Sequence, residues 1–168
     1  MARLPVVGSD TGNWGALLNE FLEVEHNAGG THKDASTTVK GVVELATNTE
    51  VNGGTDTTRA VTTASLYTTQ TLTDAASITW DLSLGAMATV TLGGNRALAN
   101  PTNLVNGASY ILIIKQDGTG GRTLSFGSTY KFADGVDPVL STGINAVDLI
   151  AFLSDGTSLY GSFLGNFS

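Results

Sequence analysis

Polar and apolar residues alternate through much of the second half of the chain, and this pattern constrains the fold more than any other feature. Residues 77–82 and 87–92 both alternate, which predicts strands with one buried face. Residues 110–114 are apolar throughout, which predicts a central strand. Strands at this spacing predict a β-sandwich, jelly-roll-like domain over residues 74–168.

Asp-Gly pairs mark the predicted turns between these strands. Asp155–Gly156 separates two apolar stretches and predicts a hairpin, while Asp117–Gly118 and Asp134–Gly135 mark two further turns. Most aspartates of this half lie beside Gly or Pro, so we expect their side chains to shape turns rather than to bind a metal or catalyse a reaction. These aspartates are Asp117, Asp134, Asp137, Asp148 and Asp155.

The N-terminal region, residues 1–38, is predicted to hold one short α-helix and a linker. Large apolar residues recur there at helical spacing and form one face. A helix of about 12 residues is marginal alone, so this face needs a partner, which is either the β-domain of the same chain or other chains. Residues 27–38 are polar and glycine-rich and predict a linker, which favours the second alternative.

Residues 39–73 carry few apolar side chains between turn residues. Thr47 is expected to cap one short helix, and Thr62 or Thr63 a second one. A single chain cannot bury enough surface here to offset the entropy of ordering the segment, so we expect an extended, intertwined oligomeric shaft. The predicted contacts of the helix and shaft are Trp14, Leu17, Leu18, Phe21, Leu22, Val42, Val43 and Leu45.

Composition narrows the function classes. The net charge is -7, with 14% charged residues, and this argues against nucleic acid, which requires clustered Lys and Arg. There is no cysteine, which removes disulfides and thiolate ligands. No stretch approaches the ~20 apolar residues that would cross a bilayer, so membrane insertion is not expected. The N-terminal residues do not resemble a signal peptide.

The sequence predicts no catalytic, cofactor or metal site. Its two histidines, His26 and His32, are expected to be solvated linker residues. Aromatic residues at alternating strand positions are expected in the core. Tyr130 lies in a turn-rich stretch and is the candidate for an exposed side chain that faces a ligand.

Two segments resemble the shaft repeat of tailed-bacteriophage tail fibres. Lys40–Thr47 reads KGVVELAT and Thr55–Thr62 reads TDTTRAVT, and the repeat extends from Lys40 to Leu66. Proteins of this kind usually have Pro after Ala-Val-Thr, where this chain has Thr63. The resemblance implies a trimer, whereas the residues alone imply only an oligomer.

Other segments are similar to further parts of phage structural proteins. Residues 10–22 resemble an N-terminal segment that commonly attaches such proteins to the particle. A β-domain found at the ends of phage tail and minor structural proteins is similar to residues 95–104, 116–124, 130–132, 145–148 and 154–161.

Together the resemblances imply a mainly β, non-enzymatic structural protein of a tailed-phage virion. We expect a trimeric tail fibre that is anchored to other virion proteins by its N-terminal segment and projects a β-domain for adhesion to the host surface, with a cell-surface glycan as the candidate ligand. A trimeric head fibre or capsid decoration protein is the alternative, and a small polysaccharide hydrolase is a third. Such a protein is assembled in the host cytoplasm and resides in the virion.

Overall fold

A computed structural model describes residues 41–167, together with Gly12, Ala16, Leu18, His32 and residues 34–36. The chain divides into two compact units. The first unit is Met1–Leu45 with Thr58–Ala60, and the second is Ala46–Thr57 with Val61–Ser168. The domain boundaries predicted at residues 38/39 and 73/74 stay predictions.

The second unit contains two short helices, two 3-10 turns and nine strands. The helices are α1 (Asn48–Gly53) and α2 (Thr63–Leu66), and the 3-10 turns are Leu82–Leu84 and Ala133–Gly135. The strands are β1 (Thr69–Thr71), β2 (Ser77–Ile78), β3 (Met87–Leu92), β4 (Arg96–Leu98), β5 (Ser109–Gln116), β6 (Leu124–Phe126), β7 (Tyr130–Phe132), β8 (Val147–Ser154) and β9 (Leu159–Phe167).

Both predicted helix caps are present. The backbone N–H of Glu50 donates to Thr47 Oγ1, and the Glu50 carboxylate accepts from the Thr47 N–H at 2.8 Å, so each group satisfies an otherwise unpaired donor. Gly54 ends α1 in the left-handed conformation, with a φ of 64°. Thr62 precedes α2, and its N–H donates to Ser65 Oγ at 3.2 Å.

The strands form two sheets that the chain visits alternately. One sheet has six strands in the order β1-β3-β5-β8-β9-β7, and the other has three in the order β2-β4-β6. β1, β3 and β5 pair in parallel, and so do β2, β4 and β6. The connection between two paired strands passes through the opposite sheet, so residues 69–126 wind as coils of a parallel β-solenoid. The antiparallel strands β8 and β9 follow.

The prediction of a mainly β protein is confirmed, and the predicted hairpin at Asp155–Gly156 joins β8 to β9. The pairing differs from the jelly-roll expectation, since a jelly roll is antiparallel whereas five of the seven strand ladders are parallel. Alternation determines which side chains of a strand are buried, but it carries no information about the direction of the neighbouring strand.

The core lies between the two sheets. Trp80 is buried and makes edge-on contacts with Tyr110 and Phe152, with ring centroids 6.2 and 6.1 Å apart. Aliphatic side chains of both sheets, such as Leu98 and Ile150, are fully buried around these rings. Each such side chain contributes about 1.5–3 kcal/mol through burial, so the core holds the two sheets together and defines their outward faces.

Candidate binding surfaces

The predicted shaft contacts that the structure describes are exposed. Val42, Val43 and Leu45 expose 54, 43 and 62% of their surface. Their backbone is nevertheless ordered by parallel bridges, because Val42 pairs with Asp34 and Leu45 pairs with Ala60. The segment therefore holds an extended conformation while it presents its apolar side chains to the outside.

The predicted N-terminal helix is described at only two of its positions. Ala16 and Leu18 are helical, and Leu18 is exposed. The other residues of its predicted apolar face, Trp14, Leu17, Phe21 and Leu22, lie outside the described residues. The anchoring role of this face stays a prediction.

The expectation that Tyr130 is exposed was wrong. Its side chain is only 5% exposed, and its ring packs against Phe126 and Phe152 with centroids 5.7 and 5.4 Å away. Its hydroxyl donates to the backbone oxygen of Ala99 at 3.2 Å, and burial raises the pKa of this hydroxyl. The reason is its position in β7 opposite the buried Leu159, so both side chains point into the core.

Tyr160, which was expected in the core with the other strand aromatics, is exposed. It is 53% exposed, and its hydroxyl donates to Asp155 Oδ2 at 3.0 Å. This hydrogen bond raises the pKa of the Tyr160 hydroxyl. The alternation of residues 158–163 is compatible with either face of the strand being buried. Only the pairing of β9 with β8 shows that the Tyr160 ring faces outward.

A cleft of about 500 Å³ lies between α1 and the loops that precede β3 and β5. Leu104 and Val105 supply its apolar surface, while Ser83, Asn103 and Glu50 supply hydroxyl, amide and carboxylate groups. The cleft therefore combines apolar surface with a few polar groups whose positions are fixed.

The polar side of this cleft is organised by Asp81. Its Oδ1 accepts hydrogen bonds from Asn103 Nδ2 at 2.7 Å, from Ser83 Oγ at 2.7 Å and from the Ser83 N–H at 3.0 Å. The Asn103 amide, followed by Ser83, holds the pKa of Asp81 below its usual value. Asn103 has a φ of 60°, a left-handed conformation in which asparagine is enriched among non-glycine residues, and its hydrogen bonds to Asp81 and Ser83 orient its amide.

Two of the predicted turn aspartates do shape turns. Asp117 Oδ1 accepts from the N–H groups of Thr119 and Gly120, each at 2.9 Å. Asp155 Oδ1 accepts from the N–H groups of Thr157 and Ser158, at 2.8 and 2.6 Å. The carboxylates therefore replace backbone acceptors within their own loops.

Asp148 does not follow this expectation. It lies inside β8, is 1% exposed, and accepts from the N–H groups of Ser141 at 2.8 Å and Asn166 at 2.9 Å. It connects distant segments rather than a local turn. The alternation of residues 147–154 gave no sign that the polar position would be the buried one.

Within the described residues, no three His, Cys, Asp or Glu side chains lie close enough together to hold a metal ion. The described part of the chain also contains no helix long and apolar enough to cross a membrane. His32 lies in the first unit, and His26 is outside the described residues.

A protein-family model matches the part of the chain that contains most of the solenoid coils and strand β8. Residues 82–159 match a family model described as "Putative phage tail fibre C-terminal domain". No curated protein and no solved structure gives a significant match. A domain of this kind points to a structural rather than a catalytic role and to a place in the phage virion. The match confirms the predicted resemblance to phage tail fibre proteins, and the similarity extends over residues 82–159.

Proposed function

We propose that the protein is a trimeric fibre of a phage tail, which projects its β-domain for adhesion to the host surface. The observation that carries this proposal is the exposure of Val42, Val43 and Leu45 in a segment whose backbone is already ordered. Apolar side chains held in a fixed, exposed arrangement are a feature of interaction surfaces. A copy of the same segment is the simplest partner, since symmetric homo-oligomers are the commonest assemblies.

Further exposed apolar residues continue this pattern along the shaft-like repeat. Val61 and Leu66 each expose more than half of their surface. They lie in the part of the chain where the sequence predicts an intertwined shaft. The trimeric state comes from the resemblance to tail-fibre shafts, and the exposure of these side chains supports association without defining its symmetry.

The N-terminal segment is proposed to anchor the fibre to other structural proteins of the virion. The protein would be assembled in the host cytoplasm and carried in the particle. This part of the proposal rests on the helical spacing of Trp14, Leu17, Leu18, Phe21 and Leu22.

Adhesion is proposed to use the cleft beside Asn103 rather than Tyr130, which is buried. A host-surface glycan offers many hydroxyl groups, and the exposed Asn103 side chain, whose Nδ2 is held by Asp81, offers its amide oxygen as an acceptor for them. Several copies of a weak site on one fibre would raise the overall affinity through multivalency.

A head fibre or capsid decoration protein is the second candidate. The shortness of the shaft favours it, because the repeat occurs once, between Lys40 and Leu66. The same trimer would then be attached to the capsid shell instead of the tail.

Antibody-gold labelling of intact phage particles, viewed by electron microscopy, tests the location. Label at the tail supports the tail fibre, and label over the head supports the second candidate.

Native mass spectrometry of the purified chain tests the trimer. The double variant Val43→Ser plus Leu45→Ser is expected to lower the number of chains in the assembly. Ser77→Ala plus Ser125→Ala, on the outer face of the three-stranded sheet, is expected to leave that number unchanged. A monomeric wild-type chain would refute the fibre proposal.

A further inference from the structure

The outward faces of the two sheets have opposite character. On the three-stranded sheet, one outward row across β2, β4 and β6 is Ser77, Ala97 and Ser125, which is small and polar, as expected for a face in water. On the six-stranded sheet, the rows across β3, β5, β8 and β9 include Thr89, Thr91, Ser109, Lys115 and Ser162, but most of their outward residues are apolar. These are Met87, Ile111, Ile113, Val147, Leu149, Ala151, Leu153, Tyr160, Leu164 and Phe167.

Strand β8 shows the contrast most directly. Its inward side chains include the polar Asp148 and Ser154, whereas its outward ones, Val147, Leu149, Ala151 and Leu153, are all apolar. A strand with one face in water normally has the reverse arrangement. Strands that are apolar on both faces are typical of sheets covered on both sides. We therefore expect another element or chain to cover this face.

The apolar area is large enough to matter for association. From Val147 to Leu153 it extends about 20 Å along β8 and about 14 Å across β5, β8 and β9, which gives about 300 Å². Leu153, Tyr160, Leu164 and Phe167 each remain more than half exposed. A stable interface buries about 800 Å² on each partner, with an apolar centre and a polar rim, so this area has the size of such a centre.

The distribution of charge indicates which partner fits. The chain has a net charge of -7, so two copies repel each other over most orientations. The outward residues of the six-stranded sheet include no carboxylate and two lysines, Lys115 at one end and Lys131 at the other. Two copies that meet through this face therefore avoid like-charge contacts between carboxylates and place their lysines at the rim.

We infer that the outward face of β3, β5, β8 and β9 packs against a second copy of this chain. The inference rests on the proposed oligomeric fibre and extends it, because it places a contact between copies in the C-terminal domain in addition to the shaft. Leu149, Leu153 and Leu164 form the centre of this contact. Ser162, which lies beside them opposite Ala151, is covered when the copies assemble.

Photo-crosslinking of the full chain tests this contact, because the chain has no cysteine. Ser162→Cys, labelled with a benzophenone maleimide, is mixed with isotopically heavy wild-type chains and irradiated. Ser125→Cys is the matched control, since it changes an exposed strand serine on the other sheet. Crosslinks from position 162 to residues 147–164 of a heavy chain are expected, with none from position 125.

Two substitutions of Leu164 distinguish the effect of charge on the contact from the effect of side-chain shape. Leu164→Glu in the labelled chain and in the heavy chain places carboxylates of neighbouring copies together, and we expect about tenfold fewer crosslinks between them. Leu164→Gln is uncharged and of equal size, and it should retain most of them. Leu164 is exposed in the single chain, so neither variant is expected to unfold the domain.

Three outcomes would overturn the inference. Crosslinks only within the labelled chain would mean that its own N-terminal segment covers the face. A position-162 probe that gives no protein crosslinks would mean that the face is open. Equal yields of crosslinks between chains for Leu164→Glu and for the chain with Leu164 would exclude this contact. If native mass spectrometry still finds a trimer in these cases, the fibre proposal stands and only the sheet contact is wrong.

Discussion

Asp148 Oδ1 accepts a hydrogen bond of 2.9 Å from the backbone N–H of Asn166 at the place where the ladder between β8 and β9 is irregular. Leu149 pairs with Leu164 and Val147 with Phe167, so β9 has one residue more than β8 in this interval. The buried carboxylate takes the place of a backbone acceptor that the bulge removes. Its other oxygen accepts from the Ser141 N–H, which fixes the preceding loop.

Replacing Asp148 should therefore destabilise the protein. Asp148→Ala leaves two N–H groups without their acceptor, and we expect the free energy of unfolding to fall by about 2–4 kcal/mol. Urea denaturation at fixed protein concentration measures this free energy. Asp137→Ala removes an exposed carboxylate and should change stability by less than about 0.5 kcal/mol. Equal stability of the two variants would show that the Asp148 hydrogen bonds contribute nothing.

Acid should weaken the fold over a defined pH range. Arg122 hydrogen-bonds to the Asp117 carboxylate at 2.7 Å and, with the Gly120 and Thr119 N–H groups, lowers the pKa of Asp117 from 3.8 to about 2. The folded state therefore binds fewer protons than the unfolded state between about pH 4 and pH 2, and the stability from this carboxylate is lost as the pH falls through that range.

Melting temperatures between pH 7 and 2, together with an NMR titration of the Asp117 carboxyl, test this dependence. Arg122→Gln should move the pKa of Asp117 back toward its usual value and lower the stability above pH 4. Lys131→Gln makes the same change of charge at an exposed strand position and should leave the Asp117 titration unchanged. A pKa of Asp117 that is the same with and without Arg122 would contradict the assigned cause.

Gly161 provides a test of close packing beneath β9. A Cβ at this position would lie 2.5 Å from Phe132 Cε1 and 2.8 Å from Phe152 Cε1, so both rings would have to move. Gly161→Ala should therefore destabilise the domain by about 1–3 kcal/mol. Gly118→Ala, where no atom lies within 4 Å of the added Cβ, is the matched control, and thermal unfolding compares the two. A Gly161→Ala variant as stable as the control would mean that the rings move without cost.

The predicted anchor is tested by changing the N-terminal apolar face. Trp14→Ala plus Phe21→Ala should release the protein from the virion and leave the β-domain folded, because the substitutions remove apolar contact area only from that face. Immunoblots of purified particles measure incorporation, and circular dichroism measures folding. Asn19→Ala plus Glu20→Ala changes polar positions of the same predicted helix as a control. Normal incorporation of the first variant would exclude the anchoring role.

Sequence patterns predicted the local structure well where the signal is contained in a few neighbouring residues. Thr47 and Glu50 form the expected capping interaction, and Asp155–Gly156 forms the expected turn. The strand over residues 110–114 lies in the middle of the six-stranded sheet. Short strands such as β1 and β4 were not predicted, because three residues do not establish a period.

The candidate surfaces were predicted less completely. Val42, Val43 and Leu45 are exposed, as an oligomeric contact requires, but the ligand-facing candidate Tyr130 is buried and Tyr160 is exposed instead. Both tyrosines lie in strands, and residue type alone does not distinguish an inward ring from an outward one. The cleft beside Asn103 joins residues from α1 with two distant loops, and no single stretch of sequence contains it.

The sequence by itself determined the mainly β class, the positions of the principal turns and helix caps, and the resemblance to phage tail fibres, because these depend on short-range patterns. Only the tertiary structure decided that β1, β3 and β5 pair in parallel, that Asp148 points inward, and that Leu149 and Leu164 share an exposed face. Strand direction and facing depend on pairing between residues far apart in the chain, and a local period of two fits either face.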